Sequence, residues 1–171
     1  LYRYHRLASL NEVGGDPARY GEPVASFHEK NARRRERWPD SLVCTSTHDT
    51  KRGEDVRARI SVLSEIPEVW VSHVRRWRTI NRRFKRDVDG RSAPDRNDEY
   101  LLYQTLVGAW PARDDDESAE TLVNRISEYM EKAAKEAKRR TSWMNPDAGY
   151  DQALRTFVGG LLSTGSPFLE A

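Results

Sequence analysis

A single short run of strand-forming residues, SLVCTST at 41–47, stands in a chain whose other apolar residues recur at helical spacing. One strand cannot make a sheet alone, so this contrast predicts a mainly α fold with one or few short strands. In PEVWVSHVRRWRTINRRF (67–84), Trp70, Val74, Trp77, Ile80 or Asn81, and Phe84 share one side of a helix, and Pro67 with Glu68 suits its first turn. DRNDEYLLYQTLVGAW (95–110) offers Asn97 as an N-cap, Asp98 and Glu99 at the positive end of the helix dipole, and a stop before Pro111. Its predicted buried stripe is Tyr103, Leu106, Val107 and Trp110. ESAETLVNRISEYMEKAAKEAKRR (117–140) runs from an acidic start to a basic end, as the same dipole favours. NPDAGYDQALRTFVGGLL (145–162) opens on an Asn-Pro start signal and offers Tyr150, Leu154, Phe157, Val158 and Leu161 for burial. Trp38, Trp70, Trp77 and Trp110 read as core residues, since they stand beside other apolar groups at helical spacing.

Two stretches depart from this rule. LNEVGGDPARYGEP (10–23) packs Gly14, Gly15, Pro17, Gly21 and Pro23 into a short span and reads as turns. SLVCTST lacks alternation and reads as a strand buried on both faces, as in a parallel sheet or barrel, or else as irregular chain if the remaining strands lie elsewhere. THD (47–49) follows it, and then GEDVRARISVL (53–63), a helix with Val56, Ile60 and Leu63 on one face. In a (β/α)-barrel, catalytic groups sit where a strand ends and the chain turns toward its helix. Spacing alone leaves two readings of the dipeptide open: Asp49 caps the helix and His48 is a satisfied buried histidine, or both face a substrate.

Composition narrows the classes. The 171 residues, 37% hydrophobic and 33% charged, suit a soluble helical protein with much surface. No apolar run approaches the roughly 20 residues that cross a bilayer, and no signal-peptide pattern opens the chain, so a cytoplasmic location without membrane partners is expected. Cys44 is the one cysteine, and with four scattered histidines it supplies neither a disulfide framework nor a Cys-rich metal site. The start at Leu1 without Met, and the close on SPFLEA, raise the expectation of a fragment. Net charge is +2, but RRWRTINRRFKR holds seven basic residues (Arg75, Arg76, Arg78, Arg82, Arg83, Lys85, Arg86) and DDDE (114–117) is wholly acidic. The basic run reads as a solvated helix face. A helical nucleic-acid-binding or protein-interaction module is the alternative class, but a nucleic-acid reader needs a larger basic excess and aromatic side chains free to stack.

The stretches YRYHRLASLNEVGGDP, FHEKNARRRERWPDS, STHDTKRGEDVRAR, PDRNDEYLLYQTLVGAWP and KEAKRRTSWMNPDAGY resemble successive motifs of the maltooligosyltrehalose synthases, a family of the α-amylase superfamily of glycoside hydrolases. The similarity covers nearly the whole chain and is most specific around STHDTKR. It implies a piece of a (β/α)8-barrel enzyme that, without a cofactor or metal, rearranges the reducing-end α-1,4 linkage of a maltooligosaccharide into an α,α-1,1 linkage. It carries onto Asp49 the role of third acidic residue and transition-state stabiliser, and onto His48 that of its substrate-contacting neighbour. Lys51 and Arg52, just past the strand end, are candidates to hold the released glucose, or else surface charges. The family's nucleophile and general acid lie on earlier strands, upstream of Leu1, while Glu12 and Asp16 read as turn residues. The implied organisation is a loop and helix leading into the barrel strand (1–40), the strand with its HD motif and following helix (41–66), and a helical subdomain inserted in the barrel (67–171). The partners are then a maltooligosaccharide and the remainder of the barrel, with no nucleic acid.

Overall fold

A computed structural model describes residues 2–16, 18–19, 21–112 and 118–171. The acidic run at 114–117 lies outside the described residues. The chain forms α1 (Val24–Arg37), α2 (Glu54–Val62), α3 (Pro67–Asn81), a hairpin of β1 (Arg86–Val88) and β2 (Arg91–Ala93), then α4 (Arg96–Ala109), α5 (Ala119–Ala137) and α6 (Ala148–Leu161). The chain is therefore mainly α with one small sheet. Single 3-10 turns stand at Ala8–Leu10, His48–Thr50 and Arg82–Phe84.

The core is where the apolar stripes meet. Leu101, Leu102, Tyr103 and Leu106 of α4 join Ile126 and Met130 of α5, and Leu154, Phe157, Val158 and Leu161 of α6. Ile60 of α2 and Trp70 of α3 close the cluster. Full burial of a side chain such as Phe157 stabilises the fold by roughly 1.5–3 kcal/mol relative to exposure. Two glycines set how closely elements approach. A Cβ on Gly108 would lie 2.6 Å from Val56 Cγ1, so α4 presses on α2 without a side chain between, and one on Gly160 would lie 2.5 Å from the Phe84 ring.

Buried polar groups are answered by specific partners. Glu99 is only 1% exposed, yet Lys85 Nζ lies 2.8 Å and Arg78 Nε 3.8 Å from its Oε2, and the Tyr103 hydroxyl donates to Oε1 at 2.8 Å. Asn81 Nδ2 donates in turn to Tyr103 Oη at 3.0 Å. Leaving such a buried carboxylate unpaired would cost several kcal/mol. The same logic fixes residues 2–12 against α4. Gln104 accepts from the Ala8 amide at 2.7 Å and donates to the His5 carbonyl at 2.7 Å, while His5 Nδ1 lies 3.2 Å from the Asn97 carbonyl oxygen.

Several expectations change. Residues 41–47 form no strand in this chain: no neighbouring strand meets their backbone groups, and Leu42 and Val43 are exposed. α4 is capped by Asp95, not Asn97, because the Asp95 carboxylate accepts from the amides of Asn97 and Asp98. Asp147, not Asn145, likewise caps α6. Trp38 and Trp110 are 61% and 42% exposed rather than core, whereas Trp70 is buried and Trp77 half-buried. The basic run is not simply a solvated face, since Arg78 and Lys85 turn inward to Glu99. The hairpin was marked in the sequence by Asp89-Gly90: both adopt positive φ (51° and 74°), as a tight two-residue turn requires. α1 has no buried residue at all, and its Phe27 is exposed.

Candidate functional site

The HD motif sits on a one-turn 3-10 helix locked at both ends. Thr47 Oγ1 accepts from the Asp49 amide at 3.1 Å, and Thr50 Oγ1 accepts from the Thr47 amide at 3.2 Å, a reciprocal capping box. Thr50 is buried, with its hydroxyl 2.7 Å from the Thr47 carbonyl oxygen and 2.9 Å from that of Arg52. Lys51 then turns left-handed (φ 56°), which ends the turn and redirects the chain toward α2. From the other side the Val13 amide donates to the Asp49 carbonyl at 3.1 Å, tying the Gly-rich loop to the motif. Within that loop Glu12 and Asp16 take turn roles, accepting backbone N–H groups of Gly15 and Ala18, both at 3.0 Å.

This scaffold presents four side chains. The Asp49 carboxylate is exposed and has no hydrogen bond or ion pair among the described residues. It does not cap α2, whose N-cap is Gly53 without a side-chain cap. His48 is also exposed, so the reading of a satisfied buried histidine does not hold. Lys51 Nζ lies 2.8 Å from His48 Nε2. An ammonium can only donate, so Nε2 accepts and the ring proton sits on Nδ1. Arg52 turns the other way, into the helical part: its Nη2 donates to the Tyr129 hydroxyl on α5, with the guanidinium carbon 5.5 Å from that ring's centroid.

Arg52 and Tyr129 are the link between the motif and the helices, and sequence reading missed the tyrosine. Nothing local could have marked it, because it lies 77 residues further on. Burial raises the Tyr129 hydroxyl's pKa, with the Arg52 cation opposing. Tyr2 joins the same neighbourhood, its own pKa raised by burial first and then by Tyr129 and Glu136. The aromatic residues of α3 are committed elsewhere, with the Trp77 ring against both Trp70 and Tyr103 of α4, and Phe84, just past α3, lies against Gly160, so none of these is free to stack on a base. Among the described residues, no three His, Cys, Asp or Glu side chains gather as a metal site would need. No described helix is long and apolar enough to cross a membrane.

The exposed carboxylate and imidazole thus stand together on a braced turn that precedes a helix. No protein-family model matches the chain. Curated proteins of Mycobacterium tuberculosis, strains H37Rv and CDC 1551, that carry the name maltooligosyl trehalose synthase are 43% identical over 151 residues, 88% of this chain and 18% of theirs. The crystal structure of a maltooligosyl trehalose synthase superposes with a TM-score of 0.81 at 39% identity, over 99% of this chain and 21% of that one. The Arthrobacter ramosus maltooligosyltrehalose synthase gives 0.79 at 37%, over 99% and 20%. In sequence and fold the chain is a segment of the maltooligosyl trehalose synthases, and it spans about a fifth of their length.

Proposed function

We propose that the complete protein carrying this chain converts the reducing-end α-1,4 linkage of a maltooligosaccharide into an α,α-1,1 linkage by intramolecular transglucosylation. The observation that carries this reading is the exposed, unpartnered Asp49 carboxylate held on a doubly capped turn, in a chain whose relatives bear the name of that reaction. A retaining glycosyl transfer passes through an oxocarbenium-like transition state and uses a nucleophile and an acid about 5 Å apart. In this reading both come from strands outside the chain. Asp49 accepts hydrogen bonds from hydroxyls of the transferred glucose, holds it distorted, and adds negative potential beside the forming cation. His48 offers Nδ1–H to the same sugar, and Lys51 restrains the imidazole through Nε2. Lys51 holds the released glucose until its anomeric hydroxyl attacks, so that water does not compete. Arg52, the other candidate for that role, is turned to Tyr129 and braces the motif from behind.

The test is Asp49→Asn in the complete enzyme. Losing one strong electrostatic contact of this kind lowers turnover by about 10²- to 10³-fold. The loss is expected in kcat and kcat/KM together, since the charge acts on the transition state. Trehalose-forming activity close to that of the parent enzyme would remove Asp49 from the chemistry.

A further inference from the structure

A second concave surface lies away from the HD turn, where α3, the hairpin and the start of α4 enclose a cleft of about 710 Å³. Arg75 and Arg78 stand on one face of α3 at helical spacing, and Arg82 and Lys85 continue the row just past its end. Ser92 and Arg96 supply the opposite wall. The two carboxylates in the cleft are already spent. Glu99 is held by Lys85 and Arg78, while Asp95 caps α4 through Oδ1 and has Arg140 Nε 3.6 Å from Oδ2.

Three exposed guanidinium groups, on Arg75, Arg82 and Arg96, therefore have no carboxylate partner among the described residues. Arg96 is also the first residue of the 14-residue α4, where the helix dipole repels a cation. Like charges gathered in a cleft focus a positive potential that attracts an anion. The Ser92 hydroxyl adds a neutral donor on the same wall.

We propose that this cleft is a binding site for a small phosphoryl anion, either inorganic phosphate or a sugar phosphate ester. Guanidinium forks match the oxygen geometry of such groups, and a tetrahedral dianion offers enough oxygens to engage donors from both walls at once, which a single carboxylate does not. The site is independent of the sugar chemistry proposed for Asp49.

The experiment is titration of the complete protein with inorganic phosphate and, separately, with glucose 6-phosphate at constant ionic strength, followed by calorimetry and phosphorus NMR. Saturable binding of either probe is expected, weakened about tenfold or more in each of Arg82→Gln and Arg96→Gln, the usual effect of losing one charged hydrogen bond. Arg35→Gln, on α1, should bind as the parent does. Tighter binding of the ester assigns the sugar phosphate, and equal binding assigns the bare anion. No saturable binding, as when a carboxylate of the surrounding protein fills the cleft, overturns the proposal. So does unchanged affinity in both arginine variants.

Discussion

Asp98 shows how a single residue makes stability depend on pH. Burial pushes its carboxyl up to about 6, although the Tyr150 hydroxyl, donating at 2.5 Å, pulls the other way. An aspartate in the unfolded chain titrates near 3.9, so the folded state holds this proton more tightly. Its stabilising contribution is fully present below about pH 4 and is lost as pH rises through about 6, a difference of roughly 3 kcal/mol. Asp98→Asn keeps an acceptor for Tyr150 and cannot titrate, so relative to the parent chain it should gain stability by that order between pH 4 and pH 7. Urea midpoints measured across that range check it, and parallel curves for the two chains would show that Asp98 does not titrate there. Asp49 is the contrasting residue. Its side chain holds nothing in place, so Asp49→Asn should leave the melting temperature within about 1 °C, consistent with ΔΔG values under ~0.5 kcal/mol at such surface positions. A large fall in melting temperature would mean that the carboxylate has a structural partner.

Neighbouring glycines in α6 make opposite predictions at the level of one helix. A Cβ at Gly159 meets nothing within 4 Å, whereas one at Gly160 meets the Phe84 ring at 2.5 Å. Gly159→Ala should therefore stabilise by about 0.5–1 kcal/mol through backbone entropy and helix propensity. Gly160→Ala should destabilise by about 1–3 kcal/mol, since the ring is wedged against α6 and cannot move without disturbing the core. Thermal unfolding of the pair decides it, and equal shifts would mean that the Phe84 contact is slack. Helices α3, α4 and α6 were legible in the sequence because each has an apolar stripe: in α6, Tyr150, Leu154, Phe157, Val158 and Leu161 are all buried as the spacing requires. Their caps were less legible. Asp95 and Asn97, or Asn145 and Asp147, are equally good capping residues by type, and only the local backbone chooses between them. SLVCTST left strand and irregular chain both open, and it is irregular in this chain, since strand propensity becomes a strand only when another strand accepts its hydrogen bonds.

For the whole molecule, the distribution of chemistry predicts that the isolated 171-residue chain neither hydrolyses nor isomerises maltopentaose. The single carboxylate of the HD turn cannot perform both nucleophilic attack and protonation of the leaving group. Chromatography of the products checks this, and turnover by the purified chain would place the catalytic pair within these residues. The HD turn was legible because its residues are adjacent in sequence. The strut behind it was not, because Arg52 and Tyr129 meet only after the chain has folded. Distance along the chain matters again for residues 2–12. His5 and Ala8 are held by Asn97 and Gln104, pairs separated by 92 and 96 residues. On a ribosome adding about 5–20 residues per second, those early residues wait on the order of 5–20 s before their partners are even made. Through that interval Tyr2 and Leu7 wait for the core helices that they pack against.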